Sequence, residues 1–319
     1  MALLSAPIQD RAGSRISKPR LQGYYFSQSN WLKNLGDCIA VVILDHIGYE
    51  LVPCSTAEEN VANAGRCLMP IGSVLDNNSI GIFPGRPIDV WGGGSKGNWL
   101  DAKHLSRIKI HAVRGPLTAE ALKLPSDIPL GDPALLLPLL VPRTIERHER
   151  TLVIPHLSRS LKMKASQRCQ ITGCDEMIIT LVYMDRQYQK RWSVRGFCRM
   201  CKYYLLGGLP VSFRTAIEKI GGASFVLTAS LHGAILAQAY GIPWAAYNHG
   251  YIDAPFKWYD WAAYLGIQLE FVRNLDEGRQ WWQEKGQAGR IRDLAPLLAS
   301  FPHDILNPQL QILAATGKI

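Results

Sequence analysis

Short β-branched or aromatic runs end in glycine- or proline-marked turns and pass directly into helix-like stretches, again and again along this chain. A chain punctuated in that way has few folds open to it. Leu21-Gln-Gly-Tyr-Tyr-Phe26 precedes the helical stretch Gly36 to His46, and Ile88-Asp-Val-Trp91 runs into Gly92-Gly93-Gly94. Lys109-Ile-His-Ala-Val113 reads as a strand, Arg114-Gly115 as a tight turn, and Pro116 to Leu122 as a helix whose first-position proline lacks an N–H that has no partner there anyway. Gly131-Asp132-Pro133 sets an Asp cap before a proline-started helix. Strands alternating with helices predict an α/β fold of two Rossmann-like domains whose open sheets face across a cleft. Ligand sites are then expected at the C-terminal ends of strands.

Residues 1–20 read as a basic arm, 21–145 as an N-terminal α/β domain and 146–319 as a C-terminal one, with a proline- and charge-rich linker at 141–150. The second half restarts with the strand Leu152-Val-Ile154. A helix over Val211 to Ile220, a buried strand from Ser224 to Thr228 and a mostly apolar helix from Ser230 to Tyr240 follow. The basic, aromatic stretch 162–208 reads as an insertion.

Composition narrows the function classes. With 47% hydrophobic and 19% charged residues over 319 positions, disorder is excluded for most of the chain. Thirty-five Lys and Arg against 26 Asp and Glu give +9, a charge suited to phosphorylated metabolites or an anionic membrane face. No nucleic-acid motif or long Lys/Arg block is present, so nucleic acid is not an expected partner. No apolar run reaches the roughly 18 to 20 residues that span a bilayer, and the first 20 residues lack the apolar core of a secretory signal. A cytoplasmic location is expected, and the basic arm leaves peripheral contact with the inner membrane face open. Seven cysteines, an odd number, favour reduced thiols over a disulfide framework. Cys169 and Cys174 form C-x4-C, and Cys198 and Cys201 form C-x2-C. Their layout is loosely that of a four-thiolate zinc site, with unpaired thiols as the alternative. Nothing suggests a catalytic metal.

Several turns could carry chemistry. In Thr228-Ala-Ser-Leu-His-Gly233 a strand ends and a helix begins, so the first N–H groups of that helix face a ligand position, and His232 can exchange a proton near neutrality. The alternative is that Ser230 caps the helix and His232 packs on a neighbouring turn. Arg114 offers a planar charged fork beside Gly115, or else a surface pair with Glu120. Asp37, in Lys33-Asn34-Leu35-Gly36-Asp37, could be a base or hold a sugar hydroxyl, but on spacing alone it fits a helix cap better. Gly92-Gly93-Gly94-Ser95-Lys96 matches neither the dinucleotide nor the P-loop pattern. In Phe256-Lys257-Trp258-Tyr259-Asp260-Trp261 the aromatics could stack a sugar, with Lys257 reaching an anion; their spacing fits the core face of a helix equally well.

Taken in order, Asn34-Leu-Gly-Asp37, Val113-Arg-Gly-Pro116, Gly131-Asp-Pro-Ala134, Pro155-His156, Ser230-Leu-His-Gly233 and Phe256-Lys-Trp258 resemble the polysaccharide pyruvyltransferase family over roughly residues 24–266. The flavour is that of the bacterial ketal pyruvyltransferases of exopolysaccharide synthesis. The resemblance implies a glycosyltransferase-B-like fold, phosphoenolpyruvate as co-substrate with no further cofactor, and a sugar in a growing, often lipid-linked saccharide as acceptor. It implies catalytic roles for His232 and Asp37. It places the arginine of the Arg-Gly-Pro turn, a donor contact, on Arg114; Ser230, Leu231, Gly233, His156, Lys257 and Asn34 are expected to join it at the donor, and Trp258 and Trp261 to contact the acceptor. Some relatives carry arginine where this chain has Ser230, so another cation, Lys257, Lys33 or His156, is expected to balance the donor. Two other readings stay open: a nucleotide-sugar glycosyltransferase, and a non-catalytic glycan- or anion-binding relative.

Overall fold

The computed structural model describes residues 18–24, 32–54, 65–98, 100–143, 149–157, 163–184 and 210–316. Most of the expected basic arm lies outside them, as do Cys198 and Cys201 of the expected zinc set. The strands run in chain order as β1 Arg20–Gly23, β2 Leu32–Asn34, β3 Glu50–Pro53, β4 Cys67–Met69, β5 Ile88–Gly93, β6 Ile108–Val113, β7 Thr151–Ile154, β8 Glu176–Met177, β9 Leu181–Tyr183, β10 Val211–Ser212, β11 Phe225–Thr228, β12 Trp244–Tyr247 and β13 Phe271–Val272. They build two five-stranded sheets, ordered β3-β1-β4-β5-β6 and β13-β12-β11-β7-β8, and one three-stranded sheet ordered β10-β9-β2. Every pairing within the two larger sheets is parallel. The α/β class with parallel sheets read from the sequence is the observed one. Its physical basis is visible in β5, β7, β11 and β12, in which every residue is buried, as strands covered on both faces must be.

The described residues divide into two compact units. Residues 18–24, 39–142 and 292–316 form the first, and residues 32–38 and 143–291 the second. The segment from 292 onward thus belongs to the first unit, which departs from the continuous second domain expected from the sequence. The cause is the aromatic load of the first unit. Trp91 on β5 is fully buried, donates from Nε1 to the Leu297 carbonyl at 2.8 Å, and meets the Phe301 ring edge-on at 4.9 Å. Tyr49 donates its hydroxyl proton to the Asp304 carbonyl at 2.9 Å, and the Leu306 and Asn307 amides both bond the Ile47 carbonyl. Without this returning segment a tryptophan and a tyrosine would lack both cover and partners.

The expected insertion at 162–208 is also redrawn at its start. Helix Ala165–Thr172 and β8 form a β7–helix–β8 crossover within the second sheet, and Asp175 accepts from both the Thr151 amide and hydroxyl. Residues 185–209 lie outside the described set. The three-stranded sheet has no counterpart in the sequence reading. There β2 runs antiparallel to β9, Asn34 opposite Leu181, and the Leu35 amide bonds the Thr180 carbonyl at 2.8 Å. Cys54 and Cys67 form a disulfide with Cα atoms 6.3 Å apart, which corrects the expectation of unpaired thiols throughout; Cys169 and Cys174 are free. Among the described residues no cluster of metal-ligating side chains is present, and no helix is long and apolar enough to cross a membrane.

Phe301→Ala is expected to cost about 3 kcal/mol, because a buried ring is lost and the Trp91 indole keeps an empty flank. Chemical denaturation followed by tryptophan fluorescence reads this, and an unchanged midpoint would show that the returning segment does not close the first core.

Candidate active site

Three histidines of the second unit follow the carboxyl ends of adjacent parallel strands. His156 lies two residues beyond β7, His232 four beyond β11 and His249 two beyond β12. Open α/β sheets bind ligands at that edge, where strand order and loop lengths leave a crevice.

His232 is held there by two glycines. Helix Leu231–Ala239 starts so close over β11 that a Cβ on Gly233 would lie 2.5 Å from the Thr228 hydroxyl. That hydroxyl accepts from the Ser230 amide at 3.0 Å and donates to the Ser230 carbonyl at 2.9 Å, fixing the turn. Ser230 occupies the cap position, yet its side chain makes no cap bond, so the sequence alternative of a simple serine cap does not describe this turn. The imidazole lies on the backbone of Gly36, where an added Cβ would be 2.4 Å from Nδ1 and 2.6 Å from Cε1. Gly36 is presented by β2 and helix Leu35–Ile47, and its amide donates to Asn34 Oδ1 at 3.2 Å. Asp37 follows in the first helical turn and is buried, as is Lys33. The Asn-Leu-Gly-Asp and Ser-Leu-His-Gly turns, about 200 residues apart in the sequence, therefore meet through one ring and one peptide.

Beside them lies a charged cluster that the sequence reading found only in part. Asp253 pairs with Lys257 and, 3.5 Å away, with His156 Nε2. Tyr251 donates to its other oxygen at 3.3 Å. The hydrogen bond to His156 and the charge of Lys257 hold the Asp253 carboxyl well below the usual carboxylate range, against the opposing effect of burial. The His156 amide donates to His249 Nε2 at 3.3 Å, and the His249 ring stacks on Tyr251. His249, Tyr251 and Asp253 escaped the sequence reading because none sits in a turn motif. The signal that could have found them is the Asn-His-Gly-Tyr-Ile-Asp run directly after β12.

Two expected site assignments change. Trp258 and Trp261 are 1% and 0% exposed on helix Pro255–Leu265, the first edge-on to Phe271 and the second stacked on Tyr264 at 5.2 Å. They form the core face of the helix, the alternative that the spacing offered, and enclosed indoles cannot take a sugar. Arg114, in the first unit, is fully buried. It donates to Ser73 Oγ at 3.1 Å and to the Ser95 carbonyl at 3.3 Å, and its guanidinium lies on Gly94, where a Cβ would be 2.1 Å from Nη2. Glu120 is exposed and is not its partner. The glycine run at 92–94 is packing of the same kind: Gly92, at φ +77°, would place a Cβ 2.3 Å from Pro133 Cδ.

The imidazole and the bridged histidine–carboxylate–lysine set thus stand at the carboxyl edge of a parallel sheet, where open α/β sheets bind their ligands. Residues 68–251 match the polysaccharide pyruvyl transferase family, and the chain belongs to that family. The matched segment contains Arg114, His156, His232 and His249, and it excludes both Asn34–Asp37 and Lys257. The succinoglycan biosynthesis protein ExoV of Rhizobium meliloti (strain 1021) is 25% identical over 201 residues, which cover 63% of this chain and 54% of that protein. The chain thus spans about half the length of the curated relative it matches. Among solved structures, an uncharacterized Klebsiella pneumoniae protein aligns over 80% of this chain and 93% of its own at 12% identity and TM-score 0.44. S. aureus MnaA in complex with UDP aligns over 85% and 90% at 9% identity and TM-score 0.48.

The buried Asp132 caps the Ala134 amide at 3.0 Å, and burial raises its carboxyl to about 6 despite the opposing charge of Arg114. A raised acid binds its proton more tightly when folded, so this group's contribution to stability falls as the pH rises from about 4 to 6. Asp132→Asn keeps the capping oxygen and removes the titration. The stability difference between the two proteins, from denaturation at several pH values, should therefore change by up to about 3 kcal/mol across that window. A flat difference would place the carboxyl in the ordinary range.

Proposed function

We propose that this protein transfers the enolpyruvyl-derived group of phosphoenolpyruvate to two hydroxyls of a sugar, forming a pyruvate ketal and releasing phosphate, during assembly of an exopolysaccharide. Family membership supports the reaction class, and the name of the Rhizobium relative supports the biosynthetic setting. The observation that carries the reading is the His232 imidazole held on the Gly36 backbone at the start of helix Leu231–Ala239. It supplies a movable proton beside the outward-facing amides of a nine-residue helix.

In this reading the donor's anionic groups lie at the first turn of that helix, contacted by the Ser230, Leu231 and Gly233 backbone, with His156 and Lys257 as nearby cations. The imidazolium of His232 gives its proton to the methylene carbon, which becomes the methyl group, and C2 acquires oxocarbenium character. One sugar hydroxyl adds to C2 and passes its proton to the Asp37 carboxylate. The bond between C2 and the phosphate oxygen then breaks, with its electron pair leaving on phosphate. The second hydroxyl closes the ketal, and its proton goes to the departing phosphate. Cations assist departure of phosphate and oppose positive charge at C2, so they must gather at the phosphate end. Asp253, which stays ionised and holds both His156 and Lys257, suits that arrangement. With Trp258 and Trp261 enclosed, Tyr251, 36% exposed and bonded to Asp253, replaces them as the ring that stacks on the acceptor sugar. Arg114 acts in this reading by locking the 93–95 turn of the first unit. We further propose a cytoplasmic setting, with a lipid-linked saccharide as acceptor.

The test is incubation with phosphoenolpyruvate and a panel of aryl glycosides, read by mass spectrometry for ketal formation and by acceptor-dependent phosphate release. His232→Ala is expected to lower turnover by about 10² to 10⁴ while retaining donor binding. Gly36→Ala, which drives a methyl group into the ring, should produce a loss of the same order with the fold intact. Full turnover in either variant would remove the imidazole from the mechanism.

A further inference from the structure

Arg168 is a buried cation that the fold alone does not account for. It lies on helix Ala165–Thr172, faces the second sheet and is 4% exposed. Among the described residues it has no carboxylate partner, and Nε has no hydrogen-bond partner at all. The two acids that follow its helix are engaged elsewhere: Asp175 with the Thr151 amide and hydroxyl, Glu176 with Lys219. What Arg168 does reach is Tyr247, the last residue of β12, donating from Nη1 to the phenol oxygen at 3.4 Å. A guanidinium taken out of water with one long hydrogen bond is costly, and such charges are kept where something completes them.

Its place in the fold says what that is. The Tyr247 ring meets His249 edge-on at 5.6 Å, and His249 accepts from the His156 amide. Arg168 and Tyr247 therefore lie against the same carboxyl edge of β7 and β12 that carries His156, Asp253 and Lys257. Because the Tyr247 oxygen accepts from Arg168, its own proton is available to a ligand oxygen, and the planar guanidinium fork fits carboxylate or phosphate. We infer that Arg168, with the Tyr247 hydroxyl, binds the carboxylate or phosphate of the anionic substrate at the carboxyl edge of the second sheet. It takes the charge-balancing part that Ser230 cannot play. The identity of the anion rests on the phosphoenolpyruvate reading above; the anion site itself does not.

The experiment is isothermal titration of the full chain, without acceptor, with phosphoenolpyruvate, inorganic phosphate and pyruvate in turn. Arg168→Gln should weaken phosphoenolpyruvate binding about 10- to 100-fold, the range expected for losing a charge-assisted fork. Tyr247→Phe should weaken it less. A larger loss for phosphate than for pyruvate assigns the fork to the phosphoryl end, the reverse to the carboxylate end, and either result supports the site. Unchanged affinity in folded Arg168→Gln, or no binding of any of the three by the parent protein at millimolar concentration, overturns it. If Arg168→Gln does not fold, Arg168→Lys decides: affinity equal to the parent protein overturns the proposal, and a several-fold loss supports it. Anion binding that depends on Arg168 with no ketal from any acceptor would refute the pyruvyl-transfer reading and leave this inference standing.

Discussion

The seat of His232 on the Gly36 peptide is the contact on which the candidate site depends. A histidine in a strand-to-helix turn is free in principle to take any rotamer; here a bare peptide stands where any side chain would collide with the ring. Three conditions must hold together. Gly233 must let the helix start close over Thr228, Thr228 must pin the Ser230 peptide from both sides, and β2 must pair with β9 so that Gly36 is delivered to the ring. Each is a short-range steric or hydrogen-bond requirement. Their conjunction turns a weak turn motif into a defined imidazole position.

Charge is organised by the same sheet edge. Asp253 collects Lys257, His156 and Tyr251 on one carboxylate, and His249 carries the network across to Tyr247. One carboxylate thus gathers an ammonium, an imidazole and a phenol at the same edge. In the first unit the chemistry is opposite in purpose. Arg114 lies on Gly94 and donates to Ser73 Oγ and the Ser95 carbonyl, bonds that tie down a turn. Two arginines of one chain, both buried, thus differ in their hydrogen bonds: Arg114 donates to a hydroxyl and a backbone carbonyl, Arg168 to a single phenol oxygen.

Parallel α/β architecture was legible because buried strands must be continuously apolar and must end in turns that glycine, proline or a capping acid can make. The caps at Asp132 and the helix opened by Pro116 were readable on those grounds. So was the ambiguity of the 258, 261 and 264 aromatics, which only burial could settle in favour of the core. Harder to read were β9 and β2, three residues each, whose pairing joins positions about 150 apart and leaves no local pattern. The return of residues 292–316 to the first sheet was hidden for a similar reason. Nothing near Phe301 announces that its partner is Trp91.

By itself the sequence determined the class of fold, the turns able to host chemistry and the residue types offered there, because strand burial, caps and glycine turns are governed by a few neighbouring residues. Tertiary structure alone decided which of those turns meet, which arginine is enclosed by its own backbone, and that Asp253, His249 and Arg168 belong to the same sheet edge as His156. Those outcomes depend on which strands lie side by side, and adjacency in a parallel sheet is set by crossovers tens of residues long that carry no local trace of their destination.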